Sequence, residues 1–79
     1  MFLYIFGFLL DSSKDDSMKF EMQVDPSLND EIVARLGHAS LNAMAEGDWP
    51  LTNDQVALLS SITGRQLPTD LKLLIGVVA

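Results

Sequence analysis

The chain has one histidine, His38, two residues ahead of Ser40, and the carboxylates Glu46 and Asp48 follow soon after. A hydroxyl nucleophile needs a neighbouring base, and the base needs a third group to orient it. These residue types could in principle form such a trio, but nothing in their spacing favours it. A lone histidine at a junction between two helices reads as a surface or capping residue. Paired carboxylates occur at Asp15-Asp16 and Asp30-Glu31. The first pair falls in a polar stretch. The second falls in the opening turn of a helix, where the helix dipole favours negative charge. Neither reads as a general acid and base. No catalytic residue is assigned, and the chain is not expected to be an enzyme.

Metal and cofactor chemistry find no better support. There are no cysteines, and one histidine cannot build a zinc site alone. The acidic spacing of a calcium loop with its closing Glu is absent, as is a Gly-rich phosphate loop. No metal ligand and no cofactor is expected.

The residues that could do work are aromatic. Residues 1–10, MFLYIFGFLL, are apolar without a break. As a strand this run puts Phe2, Tyr4, Phe6 and Phe8 on one face and Leu3, Ile5 and Leu9 on the other. It is rich in residues that favour strands. A helix, apolar all round, is the second reading, and a leader upstream of a natural start at Met18 is the third. An exposed aromatic run would be an association site. As a helix the run would rise about 15 Å, half the hydrocarbon core, so it does not span a bilayer. It has neither the basic start nor the small-residue cleavage site of a secretory signal. Trp49, between Asp48 and Pro50, is the single tryptophan. It reads either as packing over the junction between the last helices or as an exposed anchor for a partner.

Length and charge frame these residues. A chain of 79 residues allows one small core, burying only about 60% of its unfolded surface, so association with a partner or a second copy would help it. Eleven acidic residues against five basic ones give a net charge of -6. Phosphate backbones are bound by Lys and Arg, so this balance counts against nucleic acid. It suits a protein partner with a basic face, or serves solubility alone. Absence of cysteine fits a reducing cytoplasm.

The elements that would position these residues follow in order. DSSKDDS, residues 11–17, is a linker by composition. MKFEMQV, residues 18–24, alternates: Met18, Phe20, Met22 and Val24 point one way, and Lys19, Glu21 and Gln23 the other. It could pair with residues 1–10 as a hairpin. Asp25-Pro26 opens a helix carrying Leu28, Ile32 and Leu36, ended by Gly37. Ser40 caps a short helix, LNAMAE, ended by Gly47. Thr52 and Gln55 form a capping box for the best-defined helix, TNDQVALLSSITG, which Gly64 ends. Thr69 caps a last helix, DLKLLIGVVA, with Leu71, Leu74, Ile75 and Val78 on one stripe. The expected fold is mainly α: a compact bundle of about four short helices preceded by one or two N-terminal strands. Residues 1–17 form an apolar segment and linker, and 18–79 the globular helical domain.

The order of EIVARLG (31–37), SLNAMAEG (40–47), WPLTNDQVALLSSITG (49–64) and LPTDLKLL (67–74) resembles the second half of a lambda-repressor-like helix-turn-helix domain, the Cro and phage-repressor type. The resemblance implies a phage or mobile-element regulator, dimeric, with SLNAMAEG as recognition helix. Ser40 and Asn42 would then face the DNA groove and His38 would stand at the turn. Set against the acidic charge, two functions are expected. The first is a small cytoplasmic regulator, an inhibitor or adaptor, that binds a protein through Phe2, Tyr4, Phe6, Phe8, Glu46, Asp48 and Trp49. The alternative is a helix-turn-helix transcriptional regulator that binds DNA through His38, Ser40 and Asn42.

Overall fold

The computed structural model describes residues 1–10 and 17–78. Within them the chain forms a four-stranded antiparallel sheet layered on short helices, not a mainly helical bundle. Strand β1 (Phe2–Leu9) is followed by β2 (Phe20–Gln23). A 3-10 turn (Pro26–Leu28) then leads into helix α1 (Asn29–Arg35) and the single turn of α2 (Leu41–Met44). Strand β3 (Trp49–Pro50), helix α3 (Asn53–Thr63) and strand β4 (Leu71–Val78) complete it. The spatial order is β2-β1-β4-β3. Apart from Ser17, the linker expected over 11–17 lies outside the described residues.

The main correction falls on the last element. DLKLLIGVVA was expected as a helix, and its residues Leu71–Val78 form β4, paired with β1 along the full length of both, from Phe2↔Val78 to Leu9↔Leu71. The sequence of β4 satisfies two periods at once. Leu71, Leu74, Ile75 and Val78 make a helical stripe, while Leu71, Leu73, Ile75 and Val77 make one face of a strand. The β-branched Ile75, Val77 and Val78 and the flanking turns favour the strand. The eight-residue ladder with β1 decides it, because β1 has no other neighbour on that side. Trp49-Pro50, expected as a connection, pairs with Ile75 and Leu74 as an edge strand.

Alternation along the strands sets the two faces of the sheet. Leu3, Ile5, Met22, Val24, Leu73 and Ile75 point inward and form one buried cluster with Ile32, Val33, Met44, Val56, Leu59 and Leu67 from the helical layer and the approach to β4. Gly7 lies on this inner face opposite Leu73. A Cβ there would come within 2.6 Å of Leu73 Cδ2, so the Leu73 side chain fills the space that glycine leaves at position 7.

The helix boundaries rest on local hydrogen bonds. Asp25 accepts from the Ser27 amide at 3.0 Å and caps the 3-10 turn. The Thr52 hydroxyl accepts from the Gln55 amide at 3.2 Å, while the Thr52 amide donates to Gln55 Oε1 at 2.9 Å. This is the reciprocal box read from the sequence. Gly64 ends α3 in the left-handed region, with φ of 70°.

Candidate protein-docking face

The residues of β1 that do not enter the core share the opposite face. Phe2, Tyr4, Phe6 and Phe8 stand in a row there, each half-buried. Strand register fixes their neighbours. Phe8 lies beside Lys72, and Phe6 lies between Glu21 and Leu74. Tyr4 lies between Gln23 and Gly76, and Phe2 lies beside Val78. The helices pack on the other side of the sheet, so no helix among the described residues covers this row. An antiparallel sheet tolerates one solvated face, but that face is ordinarily polar. Here its centre is aromatic.

The rings touch one another. Tyr4 and Phe6 stack with centroids 5.9 Å apart and planes 29° apart. Phe6 and Phe8 meet edge to face at 5.8 Å and 88°. Both arrangements are ones that aromatic quadrupoles favour. On the β2 side the Tyr4 hydroxyl donates to Glu21 Oε2, with Met18 Sδ 3.7 Å away. The hydrogen bond to Glu21, then loss of solvent, then the carboxylate's charge, raise the Tyr4 phenol above its ordinary value. On the β4 side the Asp48 carboxylate lies over Gly76. A Cβ at position 76 would run into Asp48 Oδ1 and would stand 3.9 Å from Phe6 Cε1. Glycine at 76 therefore lets a carboxylate lean in beside the aromatic row.

Of the residues proposed for a protein partner, the fold brings together Phe2, Tyr4, Phe6, Phe8 and Asp48. Trp49, next to Asp48 in the chain, packs against the buried cluster instead. Its Nε1 donates to the Met44 carbonyl at 2.9 Å, and its ring lies 4.7 Å from that of His38. Glu46 is exposed in the turn after α2. Of the residues proposed for DNA, His38 packs at a tilt against Trp49, the ring planes 58° apart. The Ser40 hydroxyl accepts from the Ala43 amide at 3.1 Å, and Asn42 is exposed on a one-turn helix.

Glu21, Leu74, Gly76 and Val78 were not named for this face. Alternation in MKFEMQV had already put Glu21 and Gln23 on the outer side of their strand. The three from β4 were concealed by the helical reading of that segment.

Among the described residues no group of three or more His, Cys, Asp or Glu side chains could hold a metal ion. A cleft of about 230 Å³ beside β2 is lined in part by Asp25, Thr63 and Arg65, with no nucleophile and base in contact. No described helix is long and apolar enough to cross a membrane. The fold and face together describe a small α+β domain with an open aromatic sheet surface. No protein-family model, curated protein or solved structure matches the chain.

Proposed function

We propose that this chain is a small non-enzymatic regulator, an inhibitor or adaptor, that docks onto a protein through the open face of its sheet. One observation carries the reading: Phe2, Tyr4, Phe6 and Phe8 line the sheet face turned away from the helices. Strands β1 and β4 run side by side for about 27 Å, with the shorter β2 and β3 on either edge. Contiguous apolar side chains on a sheet face that no described helix covers are the kind of surface that proteins use for association. Aromatic side chains are enriched at the energetic centres of such sites because they bury large area at low entropic cost. The cysteine-free composition suits work in the cytoplasm. DNA docking through residues 38–46 has less behind it, since that segment contains no Lys or Arg to meet phosphate.

Photo-crosslinking in the cells that make the protein tests this. A benzophenone amino acid at position 6 should give discrete protein adducts, and the same group at the exposed position 61 on α3 should not. Position 6 giving no adduct, or the same adducts as position 61, would overturn the proposal.

A further inference from the structure

The chemistry around Tyr4 and Phe6 narrows the kind of partner. Glu21 and Asp48 approach this ring pair from opposite sides, one from β2 and one over Gly76. The strands beneath them, β2 and β4, lie on either side of β1 and so about 10 Å apart. Glu21 uses Oε2 for the Tyr4 hydroxyl, which leaves Oε1 for another donor. The Asp48 carboxylate takes no hydrogen bond from any described residue. Aromatic faces attract cations, and a carboxylate beside the ring adds to that attraction.

We infer that the Tyr4–Phe6 pair, with Glu21 and Asp48, is a recognition centre for an arginine or lysine side chain presented by the partner. This rests on the sheet face being the docking surface. The net charge of -6 favours a basic partner over a second copy of the chain, which would bring a second set of the same carboxylates to the interface. The face is also graded along β1. Lys72 lies beside Phe8, so the cation belongs at the Tyr4 and Phe6 end, and a neutral or acidic group of the partner belongs over Phe8. Arginine fits best, because its planar guanidinium can stack on a ring while its edge meets a carboxylate.

The test uses the full chain and a defined probe: an extended acetylated heptapeptide, Gly-Thr-Arg-Thr-Arg-Thr-Gly-amide, and its twin with citrulline in place of arginine. Citrulline keeps the shape and removes the charge. Amide chemical shifts should move at Tyr4, Phe6, Glu21 and Gly76 with the arginine peptide, more weakly as salt rises. Glu21→Gln and Asp48→Asn, both at exposed positions, should each weaken that binding about two- to fivefold, the range that exposed charge pairs give. The citrulline peptide should bind at least as weakly as the two variants. Equal binding of both peptides, shifts confined to the helices, or variants that bind like the parent would overturn the inference. Sedimentation supplies the remaining arm. A dimer that Phe6→Ser dissociates would mean that a second copy takes the face, which ends the cation inference but leaves the docking face standing. Failure of the peptide with crosslinks still formed at position 6 has the same meaning, whereas loss of both ends both.

Discussion

Glu21 accepts the hydroxyl proton of Tyr4 across the β1–β2 pair, so the one polar group in the aromatic row is tied to the edge strand rather than left to water. The bond favours the protonated phenol in the folded state. Folding therefore raises the Tyr4 value above 10.0. The sign follows: this contribution is fully present below the unfolded value and is lost as pH rises through the raised folded value. Tyr4 is the only tyrosine in the chain, so phenolate absorbance reports it alone. Its titration midpoint should lie above that of a free tyrosine and should fall in Glu21→Gln. A midpoint unmoved by that change would mean that the bond does not form in solution.

Asp25 should behave in the opposite sense. Its carboxylate caps the turn at Pro26–Leu28 by accepting from the Ser27 amide, and that hydrogen bond lowers its value below 3.8. The contribution is present above the unfolded value and is lost as pH falls through the lowered folded one. Urea melts of the parent and Asp25→Asn should differ at about pH 6 and converge by about pH 2. A constant difference across that range would assign the effect to something other than the charge.

Gly7→Ala tests how closely the Leu73 side chain packs over Gly7. The new methyl would meet Leu73 Cδ2 at 2.6 Å, and Leu73 is buried in the core. Overpacking of this kind costs about 1–3 kcal/mol. Thermal melts should show it as a drop of at least several degrees in a domain of this size. An unchanged melting temperature would mean that the Leu73 side chain moves aside at no cost.

A chain that begins at Met18 should not fold. It lacks β1, which pairs with both β2 and β4 and supplies Leu3 and Ile5, each fully buried. Without it, β4 has only the two-residue β3 beside it, and β2 has no partner. Circular dichroism should show an unfolded chain with no cooperative melt. A folded product would contradict the central place of β1.

These elements also mark how much of the fold was legible in the sequence. The capping box at Thr52 and Gln55 and the stop at Gly64 were readable because each depends on residues within a few positions of one another. The face carried by Phe2, Tyr4, Phe6 and Phe8 followed from strand geometry once residues 1–10 were read as a strand, one of three readings that the unbroken apolar run allowed. The hairpin partner of β1 was readable from the alternation in MKFEMQV, whereas its second partner strand, β4, was not. Residues 71–78 satisfy helical and strand periods equally, and the choice between them is made by β1, more than sixty residues away in the chain. Misreading β4 as a helix concealed the sheet, and with it the meeting of Gly76, Asp48 and Phe6. The division of labour between Asp48 and Trp49 was concealed for the same reason. Asp48 stands just before β3 and Trp49 begins it, and what each one meets is set by the pairing with β4 that the helical reading hid.

Cysteine accessibility along β1 tests the docking face most directly, because the chain contains no cysteine of its own. Single changes Tyr4→Cys, Phe6→Cys and Phe8→Cys, with Ile5→Cys as an inner control and Ser61→Cys as a helical one, are labelled in purified protein and inside cells. In purified protein, positions 4, 6, 8 and 61 should react rapidly and position 5 slowly. Inside cells, positions 4, 6 and 8 should become protected while position 61 stays reactive. Labelling at 4, 6 and 8 that is as fast in cells as in the purified protein would mean that nothing docks on the sheet, and would contradict the account.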